Sequence, residues 1–152
     1  MVFRFYWQDI DSQVSNILNG IKRLNIKPDL IVGITRGGMI PATMLAYKMG
    51  LPVCSLQWQC RDLDQVRDRI QLGVILLTSK SGVVIVDDIL DSGSTLREIG
   101  EYAKSLKSEN EEIATVNYAV CVKRTELSSP VPNLVYGTEL ENFDWVYFPW
   151  GE

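Results

Sequence analysis

In this 152-residue chain the stretch richest in chemistry is Asp87-Asp88-Ile89-Leu90-Asp91-Ser92-Gly93-Ser94-Thr95. It follows the apolar run Val83 to Val86 and precedes Leu96, Ile99, Ala103 and Leu106, which share one face at helical spacing. Ser92 to Thr95 thus fall just before a helix, where free backbone N–H groups, the positive end of the dipole and hydroxyl donors favour an anion. Gly93 lets the backbone approach closely, so the segment reads as a phosphate cradle. It lacks the lysine of GxxxxGK[ST] and is not a nucleoside triphosphate P-loop. Taken alone, these four residues would read as a Ser/Thr capping box completed by Arg97-Glu98. They are not alone: Asp87, Asp88 and Asp91 repel one another unless hydroxyls or a cation partner them. Adjacent acids after a buried strand suit ribose hydroxyls and, directly or through water, Mg²⁺.

A second loop, Thr35-Arg36-Gly37-Gly38, is placed in the same way, after the apolar run Leu30 to Ile34 and before a helix over Met39 to Met49. In that helix Ile40, Met44 and Tyr47 are expected on one face, with Pro41 in the first turn. Upstream, Val14, Ile17, Leu18, Ile21 and Leu24 make Asp11 to Leu24 an amphipathic helix with Asp9, Asp11 or Ser12 as N-cap. Val53 to Trp58, Val74 to Leu77 and Ile113 to Val122 read as further strands. The polar stretch Gln59 to Gln71 reads either as a mobile charged loop or as a short solvated helix. Alternating apolar strands and helices predict a single doubly wound α/β domain over 1–152 with a mainly parallel sheet. Ligands of such sheets lie beyond the carboxyl ends of the strands, which singles out the two loops.

Composition narrows the chemistry. With 15 Lys+Arg against 19 Asp+Glu and no like-charge run, broad attraction to nucleic acid or anionic membrane is disfavoured. The chain has no histidine, which removes every Ser-His or Cys-His pair and the commonest metal ligand. Carboxylates, lysine, arginine and hydroxyls must do the work. Cys54, Cys60 and Cys121, an odd set without CxxC spacing, read as reduced, buried thiols. The N-terminal residues lack a signal-type apolar core, and no apolar run approaches the ~20 residues of a membrane span, so a cytoplasmic protein is expected.

Residues Val83 to Thr95 resemble the phosphoribosyl pyrophosphate (PRPP) signature of type I phosphoribosyltransferases, a hydrophobic strand, two acids and a D-[ST]-G-x-T loop. Thr35-Arg36-Gly37-Gly38 likewise resembles that family's pyrophosphate loop. Lys123 followed by Asp144-Trp145-Val146-Tyr147-Phe148-Pro149-Trp150 resembles the purine-binding hood of short bacterial xanthine-guanine and hypoxanthine phosphoribosyltransferases, here formed mainly by residues 123–152.

The resemblance implies Mg²⁺-dependent transfer of 5-phosphoribosyl from PRPP to guanine, xanthine or hypoxanthine, giving the nucleoside 5′-monophosphate and pyrophosphate. By motif, Asp87 and Asp88 would hold the ribose hydroxyls and metal, and Asp91 to Thr95 the 5′-phosphate. Thr35 to Gly38 would hold the pyrophosphate, and Asp91 would act as base toward purine N7. Lys123 would meet the 6-oxo group, Trp145 would stack on the base, and the backbone at Val146 or Tyr147 would read the 2-position. A homodimer or homotetramer is also implied. The sequence departs from the family where Gly151 separates the Pro-Trp pair from Glu152, and where residues 55–59 lack a Ser-Tyr pair. Two other readings keep the PRPP site: a phosphoribosyltransferase for another base, such as orotate, and a PRPP-sensing regulator without catalysis.

Overall fold

The computed structural model describes residues 1–58, 65–125, 131–141 and 144–151. The elements in chain order are β1 (Val2–Arg4), α1 (Trp7–Arg23), β2 (Leu30–Ile34), α2 (Met39–Met49), β3 (Val53–Leu56), α3 (Gln65–Thr78), β4 (Gly82–Leu90), α4 (Ser94–Glu109), β5 (Thr115–Arg124), β6 (Leu134–Leu140) and β7 (Trp145–Tyr147). A five-stranded sheet runs β3-β2-β4-β5-β6, and every pairing in it is parallel. This is the expected doubly wound α/β fold. Helices α1 and α2 bury Ile10, Val14, Ile17, Ile21, Ala42 and Leu45 on one face of the sheet. On the other face α3 and α4 bury Leu72, Ile75, Leu76, Leu96 and Ile99. Each large aliphatic side chain so buried contributes about 1.5–3 kcal/mol, which is why the central strands are apolar on both faces.

Strand order reverses at β2 and β4, since the chain leaves β2 for β3 on one side and leaves β4 for β5 on the other. The loops after β2 and β4 therefore flank the switch point, where the two faces of the sheet part and leave a crevice. Register brings them level: Gly33 pairs with Val86, and Leu90 pairs with Lys123.

Several local expectations are corrected. Val74 to Leu77 is not a strand but the end of α3; of the two readings of Gln59 to Gln71, the helical one holds over Gln65 to Gln71. Residues 59–64 of that stretch, with Cys60, lie outside the described residues. The period of α3 is hidden because both faces carry large apolar groups. Leu72, Ile75 and Leu76 are buried, whereas Val66, Ile70, Val74 and Leu77 are each more than half exposed. Tyr47 does not share a buried face with Ile40 and Met44; it is almost fully exposed, and α2 packs through Pro41, Ala42, Leu45 and Ala46. Helix α1 starts at Trp7 with Tyr6 as its N-cap. Asp9 lies in the first turn instead, its carboxylate accepting the Tyr6 N–H at 2.7 Å. Strand β5 starts and ends two residues later than expected.

Part of the expected hood belongs to the main sheet, because β6 pairs with β5. The small separate element is β7, which pairs in parallel with β1, Val2 opposite Trp145 and Arg4 opposite Tyr147. The Arg4 guanidinium lies 4.7 Å from the Tyr147 ring centroid, and Phe5 stacks on Phe148. The aromatic N-terminal residues thus brace the hood, a long-range pairing with no local signature in the sequence. Cys121 is buried, and burial pushes its thiol up to about 12, in keeping with apolar filler. Among the described residues no helix is long and apolar enough to cross a membrane.

Candidate active site at the switch point

The two acids expected just past β4 lie within it. Asp87 and Asp88 are residues of the strand itself, half-buried, so their carboxylates are fixed by sheet backbone rather than by a free loop. Asp88 N–H donates to Asp87 Oδ1 at 2.9 Å, and Ile89 N–H donates to Asp88 Oδ1 at 2.8 Å. Burial, then the neighbouring Asp88 charge, pushes the Asp87 carboxyl up to about 8. Among the described residues neither carboxylate is in an ion pair with a lysine or arginine.

The glycines of the β2 loop bring that loop onto the acids. A Cβ added at Gly37 would collide with the Asp88 carboxylate, and one at Gly38 would collide with the backbone oxygens of Val86 and Ile34. Only hydrogen fits at either position. The Thr35–Arg36 peptide bond is cis. Thr35 and Arg36 are exposed, and Gly38 caps α2 at its N-terminus. The Thr35 and Gly38 N–H groups donate to the Leu56 and Ile34 carbonyls, each at 2.9 Å, so the donor role expected of Gly38 is corrected: an anion resting on this loop would meet the Gly37 N–H and the Arg36 guanidinium beside the paired acids.

The Asp91 to Thr95 loop forms the second lobe. Gly93 has φ 85°, a left-handed conformation that glycine adopts without steric cost, and it is the N-cap of α4. Gly93 has no side chain to cap the helix; Ser92 Oγ accepts the Ser94 N–H at 3.3 Å, and Glu98 accepts a hydrogen bond from Gln65 Nε2 at 2.5 Å. The capping box read from Arg97-Glu98 is therefore absent, and the N-terminus of α4 opens on the loop. Ser92 and Ser94 hydroxyls lie 3.0 Å apart. Together these residues line a cavity of about 80 Å³ with Asp87, Ile89 and Asp91. A more apolar cavity of about 350 Å³ lies between α4 and residues Val131, Pro132 and Asn133. The small polar cradle is the better anion site because its lining supplies donors and a helix N-terminus.

The residues expected to meet the base lie near the end of β5 and in β7. Lys123 is next to Leu90 in register, but its ammonium is bound to Glu139 Oε1 at 2.6 Å and lies 5.3 Å from the Tyr136 ring centroid. An ammonium has three donors, so this bond leaves others for a carbonyl oxygen. Trp145 presents a ring that is 55% exposed, while Val146 is buried beneath it. Glu139, Arg124 and β1 were missed by sequence reasoning. A buried arginine is rarely tolerated without partners, yet nothing in the local sequence marks Arg124 as buried. Glu152 lies outside the described residues.

As a metal site, Asp87 and Asp88 offer hard carboxylate oxygens of the kind Mg²⁺ takes, and their mutual repulsion is what a cation would relieve. Among the described residues no cluster of three or more His, Cys, Asp or Glu could hold an ion. The pair would fit a cation that takes its remaining ligands from water and phosphate oxygens.

The raised Asp87 carboxyl has a consequence for stability. The folded chain holds an extra proton between the unfolded value near 3.8 and about 8, so the stability tied to it is complete below that window and lost as pH rises through it. Metal-free melting temperatures of the wild type should fall across pH 5–8 relative to Asp87→Asn; parallel curves would show that Asp87 titrates normally.

Comparison with known proteins agrees with this geometry. A family model described as phosphoribosyl transferase domain matches residues 7–152. A xanthine-guanine phosphoribosyltransferase of Cereibacter sphaeroides is 32% identical over 126 residues, 79% of this chain and 67% of that enzyme. A purine phosphoribosyltransferase from Pyrococcus horikoshii shares the fold with TM-score 0.68 at 23% identity, covering 99% of this chain and 94% of that one. A Neisseria gonorrhoeae protein with bound ppGpp does so with TM-score 0.74 at 22% identity, covering 99% and 89%. The match along nearly the whole chain places this protein in the phosphoribosyltransferase family, as an enzyme of that class.

Proposed function

We propose that the enzyme transfers 5-phosphoribosyl from PRPP to a 6-oxopurine, giving the nucleoside 5′-monophosphate and pyrophosphate. The observation that carries the PRPP half is the contact of Gly37 and Gly38 with β4, which sets a diphosphate loop against the paired acids and the phosphate cradle. The base half is supported by the exposed Trp145 ring, the Lys123 ammonium at the edge of the crevice and the xanthine-guanine activity named for the relative at 32% identity.

The transition state carries oxocarbenium-like charge at the ribose carbon and growing negative charge on the departing diphosphate. Arg36 and the Gly37 N–H neutralise the diphosphate as the bond to it lengthens. Asp87 and Asp88 accept from the ribose hydroxyls, and Ser92 to Thr95 hold the 5′-phosphate, so the sugar is fixed at both ends. Asp91 takes the proton from purine N7 as N9 attacks. Lys123 donates to the 6-oxo group, while Trp145 stacks on the ring and the backbone at Val146 reads position 2. Mg²⁺, held by Asp87 and Asp88 directly or through water, would supply charge neutralisation to the diphosphate when bound.

Two variants test these assignments. Lys123→Met should raise the KM for the preferred base about 10- to 100-fold, the loss expected when a charged hydrogen bond is removed, and leave PRPP binding nearly unchanged. Equal loss for both substrates would deny Lys123 the base contact. Magnesium added above pH 7 without other ligands should raise the melting temperature of the wild type and leave that of Asp87→Asn in place. An equal rise in both would put the cation elsewhere.

A further inference from the structure

Arg124, the last residue of β5, is 7% exposed and keeps its charge at any accessible pH. Its Nε donates to Asp91 Oδ1 at 3.2 Å. Its Nη1 donates to the Glu141 carbonyl at 2.9 Å and to the Asp144 carbonyl at 2.6 Å. Those acceptors belong to different halves of the site. Asp91 opens the phosphate cradle, whereas Glu141 and Asp144 frame the entry into β7, which carries Trp145 and Val146. The Asp91 side chain remains 74% exposed, so the contact holds the carboxylate without covering it. A planar fork with fixed donor directions is the group able to span three acceptors in this way; a lysine offers only a compact point charge.

We propose that Arg124 is a positioning residue that couples the two halves, fixing the Asp91 carboxylate relative to the backbone that presents the base. This rests on the roles given above to Asp91 and β7. If the base is held by β7 and its proton is taken by Asp91, this guanidinium ties the two together directly. A displacement of about 1 Å in such a pair can cost about 100-fold in rate.

Arg124→Lys keeps the charge and loses the span. Its kcat should fall about 10- to 100-fold and its KM for the base should rise, while PRPP affinity measured by calorimetry stays within about threefold of wild type. Combined with Asp91→Asn, it should cost less than the product of the two single effects, because the second substitution removes the group that the first misplaces. A merely structural arginine would instead lower PRPP and base affinity in parallel, or lower only the yield of folded protein. Arg124→Gln, which retains a planar donor without the charge, carries the same test should the lysine variant fold poorly.

Wild-type kcat and base KM in both variants, parallel loss of both affinities, or strictly multiplicative effects in the double variant would each overturn the coupling. Absence of turnover by the wild type with every 6-oxopurine would overturn the functional reading itself, a result distinct from any of these.

Discussion

Asp91→Asn is expected to lower kcat by ~10²- to 10⁴-fold, the usual contribution of a general base, while changing PRPP affinity far less. The substitution is close to isosteric, and its amide oxygen can still accept from Arg124 Nε, which now meets Asp91 Oδ1 at 3.2 Å. The Ser92 and Ser94 hydroxyls and the first-turn N–H groups of α4 are untouched, so the phosphate cradle survives. What disappears is the proton acceptor. Single-turnover kinetics with a PRPP titration separates the two effects. An unchanged kcat would remove Asp91 from the chemistry, and a parallel loss of PRPP affinity would make it a binding residue only.

Gly38→Ala should be nearly as damaging for a different reason. Its φ of -70° suits any residue, so the obstacle is space: the added methyl would press on the backbone oxygens of Val86 and Ile34 and on Asp87 Cα at 3.0 Å. Sheet backbone cannot move aside as a flexible side chain would. The loop must lift off β4, taking Arg36 and the Gly37 N–H, proposed to hold the diphosphate, with it. Overpacking of this kind costs about 1–3 kcal/mol of stability, and displacement of the loop should lower kcat/KM for PRPP about 100-fold. Gly73→Ala is the control. It lies within α3, its nearest foreign atoms would be 3.9 Å from the new methyl, and it should gain about 0.5–1 kcal/mol with activity unchanged. Equal activity of Gly38→Ala and wild type would show that the loop does not need its contact with β4.

The parts of the site that the sequence made legible are those encoded by contiguous spacing. The run from Val83 to Thr95 contains its strand, acids, glycine and helix start in order, and the structure places them accordingly, except that Asp87 and Asp88 fall inside the strand. Thr35 to Gly38 was legible for the same reason. Misreadings arose where a period was masked or where partners lie far apart in the chain. In α3 the exposed Val66, Ile70, Val74 and Leu77 fill the face that is ordinarily polar, so the segment near Gly73 imitates a short buried strand. Ile40, Met44 and Tyr47 share a face by spacing, yet it is Ala42, Leu45 and Ala46 that are buried against the sheet. The pairing of β1 with β7 joins residues more than a hundred positions apart. Arg124 becomes recognisable only once its three acceptors are seen, since its burial is set by Asp91, Glu141 and Asp144 and not by its neighbours in sequence.

Purified protein mixed with PRPP and Mg²⁺ and offered guanine, xanthine, hypoxanthine, adenine and orotate in parallel tests the central claim most directly. Nucleoside monophosphate and pyrophosphate should form in equal amounts with one or more of the three 6-oxopurines, and not with orotate. Turnover with orotate alone, or tight PRPP binding without turnover on any base, would contradict it.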